Sequence, residues 1–156
     1  MMKEKISALF VSPVFLSAFF SWFGAQLLKV IIDTLKRRAR KKEDVVSTLL
    51  WKTGGMPSSH SSLVTALTTS IGFVEGITSP LFIMSFFYAA IIIRDAMGVR
   101  KAAGLQAQKI NEMGEYLKKN HNMDFSPVKV VHGHKVEEVI VGMVLGFFIA
   151  LAFCLL

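Results

Sequence analysis

The sequence has almost no cysteine. Cys154 is the single one, so a disulfide scaffold is excluded. It has no internal repeat and no low-complexity segment, and its 13 phenylalanines and long apolar runs exclude a disordered chain. Acid is scarce: 11 Asp and Glu stand against 18 Lys and Arg, a net charge of +7. The most informative scarcity is local. No formal charge occurs in the 23 residues between Lys5 and Lys29, the 22 between Lys52 and Glu75, the 18 between Glu75 and Arg94, or the last 18 after Glu138. A soluble amphipathic helix needs a charged face, and these stretches have none.

What fills the runs is apolar: hydrophobic residues make up 53% of the chain and the mean hydropathy is +0.51. A hydrocarbon layer about 30 Å thick takes about 20 helical residues to cross. The runs predict an all-α integral membrane bundle of about four transmembrane helices, near 7–35, 58–74, 80–93 and 136–156, forming a single domain over 1–156. The first run is read as a span and not as a signal peptide, because it is long and its helical pattern continues through Gln26, Lys29 and Asp33.

Fifteen of the 18 Lys and Arg fall in two connections, 36–57 and 94–135, while the short turn after Glu75 carries none. The positive-inside rule puts both connections in the cytoplasm. Both chain ends then lie outside, against the pull of Lys3 and Lys5. Within the longer connection, Ala103, Ala107, Ile110, Met113 and Leu117 recur at helical spacing among Arg100, Lys101, Lys109, Lys118 and Lys119. That pattern predicts a cytoplasmic amphipathic helix on the membrane surface or against the bundle.

Three clusters carry chemistry. In Thr53-Gly54-Gly55-Met56-Pro57-Ser58-Ser59-His60-Ser61-Ser62, two glycines allow close backbone approach and Pro57 suits a helix start. Ser58, Ser59 and His60 then stand where free N–H groups and the positive helix end favour an anion. The same serines are also ordinary helix caps. In His132-Gly133-His134-Lys135-Val136-Glu137-Glu138, His134 and Glu138 are four apart and share a helix face, so the carboxylate can fix the imidazole. In Arg94-Asp95-Ala96-Met97-Gly98-Val99-Arg100-Lys101, Arg94 abuts an apolar run and is read as a phosphate ligand, whereas Arg100 and Lys101 are read as positive-inside anchors. The four-helix topology gathers His60, His134, Arg94, Lys29 and Lys36 at one mouth. Zinc is disfavoured because no Cys or carboxylate cluster has its spacing. Nucleic acid is disfavoured because no binding motif accompanies the charge.

From Gly54 to Ser61 the sequence resembles the type-2 phosphatidic acid phosphatase and vanadium haloperoxidase superfamily. More closely, it is similar to a small divergent branch of bacterial and plant membrane proteins. The blocks at Arg94–Arg100, Gly133-His134 and Ala25-Gln26-Leu27-Leu28-Lys29 extend the likeness over about residues 24 to 147. The resemblance implies a metal-independent phosphatase without cofactor: His134 as nucleophile, Glu138 orienting it, His60 as the acid, and Lys29, Lys36, Gly55, Ser58, Ser59 and Arg94 binding phosphate. Two positions depart from the superfamily pattern. Val128 stands where it has an arginine, and Lys29 is followed by Lys36 and Arg37 with no proline.

The expected protein is a lipid phosphate phosphatase in a bacterial inner membrane, with its site facing the cytoplasm. It would hydrolyse a phospholipid or prenyl phosphate through a phosphohistidine. The alternative is a non-catalytic membrane protein that binds anionic lipid headgroups. Small residues (Ser61, Thr65, Thr68, Gly142, Gly146) also suit helix packing or a homodimer.

Overall fold

The computed structural model of the chain describes residues 2–35, 55–130 and 133–156. Lys36, the rest of the basic connection through Gly54, and His132 lie outside those residues. The described chain is helical: α1 Met2–Val11, α2 Pro13–Leu35, α3 Ser59–Glu75, α4 Pro80–Met97, α5 Val99–His121 and α6 Val136–Leu155.

The expected first span is divided. Pro13 has no N–H to continue α1, so a new helix starts at it, with the Leu16 N–H donating to the Ser12 carbonyl at 2.9 Å. The turn between α3 and α4 passes Gly76 at φ 86°, which suits glycine. Ser79 then caps α4 by accepting from the Phe82 N–H at 3.1 Å, and Pro80 occupies the first turn. The α4 helix runs on to Met97, past the expected end at Ile93, because a basic side chain in a last turn is compatible with the helix dipole.

Which residues face inward identifies the solvent. The α2 helix buries Ser17, Ser21, Ala25, Gln26, Lys29 and Asp33, while Phe19, Phe20, Leu27, Leu28 and Ile31 are exposed. The α3 helix buries five of its serines and small residues with Val64 and Ile71, and α6 buries Val139, Gly142, Gly146 and Ala150 while exposing Phe147 and Phe148. Small and polar residues inside with large apolar ones outside is the pattern of helices packed in lipid, where close backbone approach drives association. Ser62 Oγ donates to the Ser21 carbonyl at 3.2 Å, and Thr68 Oγ1 to the Ser85 carbonyl at 3.1 Å, joining α3 to α2 and α4.

Three helices among the described residues are long and apolar enough to cross a membrane: α2, the run from Pro80 that continues through α5, and α6. The 17-residue α3 is shorter and packs among α2, α4 and α6. The bundle is therefore three membrane-length helices around α3. Gly142 and Gly146 are used within the chain: a Cβ at either would collide with the Ser58 or Ser62 carbonyl oxygen of α3.

Candidate functional site at one end of the bundle

The C-terminal ends of α2 and α4 and the N-terminal ends of α3 and α6 meet at one end. Their positions follow from four contacts. Gly55, at φ 89°, approaches the Lys29 stem, which lies 3.7 Å from where a Cβ would stand. The Ser58 N–H donates to the Glu138 carbonyl at 2.9 Å. The His134 N–H donates to the Ala96 carbonyl at 3.1 Å. Gly133 lies so close to α5 that a Cβ there would be 2.6 Å from the Lys101 nitrogen.

Ser58 is wholly buried and caps α3, its Oγ accepting from the Ser61 N–H at 3.4 Å and the Ser61 hydroxyl at 3.0 Å. Its amide and hydroxyl oxygen are thus both engaged inside the protein. Ser59 is also buried, and His60 is exposed at the mouth. The first-turn amides at Ser59 and His60 have no carbonyl within the helix to bond. The ionisable groups that surround the His60 ring are Arg100, His134, Lys29 and Asp95.

His134 is 5% exposed, and its Nδ1 lies 2.9 Å from Glu138 Oε2. That oxygen also accepts from the Lys135 N–H at 3.2 Å. A carboxylate only accepts, so Nδ1 carries the proton and Nε2 keeps its lone pair in the neutral ring. Glu138 therefore does three jobs: it fixes the tautomer, closes the start of α6, and ties α6 to α3 through its main chain. A cavity of about 250 Å³ adjoins His134 on the α5 side, lined by Lys101, Gly104, Leu105, Gln108, Gly133 and Lys135.

Lys29 is 1% exposed, the largest fully buried side chain described, and Asp33 is buried one turn further along. Gln26, one turn deeper, buries an Oε1 with no partner among the described residues. No group of three His, Cys, Asp or Glu suited to a metal ion occurs among the described residues.

The two arginines of this block differ in exposure. Arg94 is exposed. At about 100° per residue it lies about 140–180° around α4 from the buried Ser85, Ala89 and Ala96. Arg100, read from the sequence as an anchor, bears on His60 and pairs with Asp95, Nε to Oδ2 at 3.2 Å. Helix phase was the available signal: Arg100 is four residues after the buried Ala96, and Arg94 is out of phase with it. Val128, at the departure from the superfamily pattern, is 45% exposed, and its backbone is held at both N and O by the Asn111 side-chain amide on α5.

Beneath the site, a cleft of about 390 Å³ lies between α3 and α4. Thr65, Thr68, Thr69, Phe82, Phe86, Ala89, Ala90, Ile93 and Met143 line it.

These features define an integral membrane helical protein with a polar, histidine-bearing site at one end. The chain belongs to the Divergent PAP2 family, whose pattern matches residues 10–149. It is 37% identical over 138 residues to the Bacillus subtilis (strain 168) protein named "Uncharacterized membrane protein YuiD", covering 81% of this chain and 84% of that protein. No solved structure matches the chain.

Proposed function

We propose that the protein is a metal-independent membrane lipid phosphatase, acting on a phosphomonoester or diphosphate headgroup. The observation that carries this reading is the His134–Glu138 pair, joined through the Glu138 carbonyl to the helix start that bears His60. The His134 Nε2 lone pair attacks phosphorus, forming an N–P bond as the P–O bond to the lipid breaks. His60 gives a proton to the departing lipid oxygen. Water, giving a proton back to His60, then attacks phosphorus as the N–P bond breaks, releasing inorganic phosphate and restoring both histidines. Lys29 and the first-turn amides of α3 offset the charge that collects on the phosphoryl oxygens. The apolar cleft between α3 and α4 supports a substrate with a hydrocarbon chain.

The test is phosphate release by purified protein in detergent from phosphatidic acid, phosphatidylglycerophosphate and prenyl phosphates. Turnover of at least one, falling about 10²- to 10⁴-fold in His60→Ala, is the expected result. No release from any of them overturns the reading. Val128 favours a second reading, a binder of anionic headgroups without turnover. That reading expects lipid binding, no phosphate release, and normal function in a His60→Ala, His134→Ala double variant.

The basic connections support a site facing the cytoplasm. In a Cys154→Ala background, a cysteine replacing the exposed Lys118 of α5 is expected to react with an impermeant thiol reagent only after cells are permeabilised. Labelling in intact cells reverses the orientation.

A further inference from the structure

A phosphoryl group bound for transfer needs donors directed at its oxygens, and a guanidinium fork is the side chain best matched to them. The described site has two arginines near it, and geometry separates them. Arg94 is exposed on the side of α4 opposite its buried stripe. Arg100 lies just past the helix junction at Gly98, four residues after Ala96, and the Ala96 carbonyl itself holds the His134 amide at 3.1 Å. Gly133, beside the histidine, is packed on the Lys101 backbone, the next residue along. The α4–α5 junction and the nucleophile segment are thus fastened together on both sides of Arg100. Asp95 Oδ2 accepts from the Arg100 Nε at 3.2 Å across the junction, and no described residue bonds Nη1 or Nη2. A guanidinium held at Nε keeps a fixed plane, and its two terminal nitrogens remain as a paired donor.

We propose that Arg100, oriented by Asp95, receives the substrate phosphate beside His134, and that Arg94 does not. The inference rests on the phosphatase reading for its substrate, but it concerns phosphate binding and can be tested apart from turnover. Asp95 is a positioning residue: it touches the guanidinium and not the phosphate.

The probe is orthovanadate, a phosphate mimic, titrated by calorimetry against full-length protein in detergent, alongside phosphate release from phosphatidic acid. Arg100→Gln is expected to weaken orthovanadate binding about 10- to 100-fold, the range for loss of a charged hydrogen-bond pair, while Arg94→Gln stays within about twofold. Arg100→Lys, which keeps the charge but loses the fork, is expected to fall between. Asp95→Asn is expected to raise KM with kcat little changed, and to add nothing when combined with Arg100→Gln. Melting temperatures should hold across the set, because a partly exposed ion pair contributes little to stability. If a variant fails to fold, Arg100→Lys carries the comparison. Loss of binding in Arg94→Gln with retention in Arg100→Gln overturns the inference, as does binding equal to wild type in both Arg100 variants. Arg100-dependent orthovanadate binding without phosphate release leaves this inference standing and removes the catalytic reading. Phosphate release indifferent to Arg100 does the reverse. Wild type that neither binds orthovanadate nor releases phosphate overturns both.

Discussion

His134→Ala is expected to lower phosphate release by at least about 10⁴-fold, because the side chain that makes the covalent bond to phosphorus is gone and only binding and charge stabilisation remain. The backbone at this position should hold, since its amide bond to Ala96 is independent of the ring. Two further measurements distinguish a nucleophile from a structural histidine. Rapid quench of wild type into alkaline denaturant during turnover should trap a phosphoryl group that is stable in alkali and labile in acid, and His134→Ala should trap none. Added imidazole should restore part of the rate of His134→Ala, since the missing ring leaves space beside Glu138. Glu138→Gln is expected to fall less, about 10²-fold, because an amide oxygen can still accept from both the Nδ1 proton and the Lys135 amide but lacks the charge that favours the ring as it becomes positive. Full activity in His134→Ala would remove the mechanism entirely.

The second large effect concerns folding. Gly146→Val is expected to abolish the folded protein, and Gly146→Ala to destabilise it by about 3 kcal/mol, at or above the usual cost of overpacking. The obstacle is the Ser62 carbonyl oxygen, with the Ser62 Cα itself 3.0 Å from the new Cβ. A backbone cannot rotate out of the way as a side-chain tip can. To admit the methyl group, α6 must move off α3, which strains the Ser62 hydroxyl bond to α2 and the Ser58–Glu138 bond. Gly24 is the control. A Cβ there would meet only Ile149 Cδ1 at 3.7 Å, so Gly24→Ala should leave the melting temperature within a few degrees. Far-UV circular dichroism during heating in detergent reads both, and a Gly146→Ala melt matching wild type would show that α3 and α6 separate without penalty.

Much of this arrangement is legible in the residue order. Three of the four runs without charge mark membrane-length helices, while the run at 53–74 holds the shorter α3, rich in serine and threonine. Four-residue spacing alone brings His134 to Glu138, and the serine after Pro57 caps α3. Helix ends were harder. Ending the third run at its first charge cut α4 short by a turn, and counting only charge joined α1 to α2 across Pro13. Arg94 adjoins an apolar stretch, but adjacency in sequence says nothing about which way a helix faces. The proposed place of Arg100 follows only when the phase of α4 is carried through Gly98. The least legible link is the one between Ser58 and Glu138, because it is made by main-chain atoms that every residue has. It exists only where Gly142 and Gly146 let two backbones come together.

That bond also bears on when the site is intact. The Glu138 main chain holds the start of α3 while its side chain holds the His134 ring, so any sliding of α6 along α3 disturbs both together. The His134–Glu138 geometry is thereby tied to the packing of α6 on α3. Exchange of the Ser58 amide proton with solvent is accordingly expected to report the opening of α3 from α6, on which the setting of His134 depends.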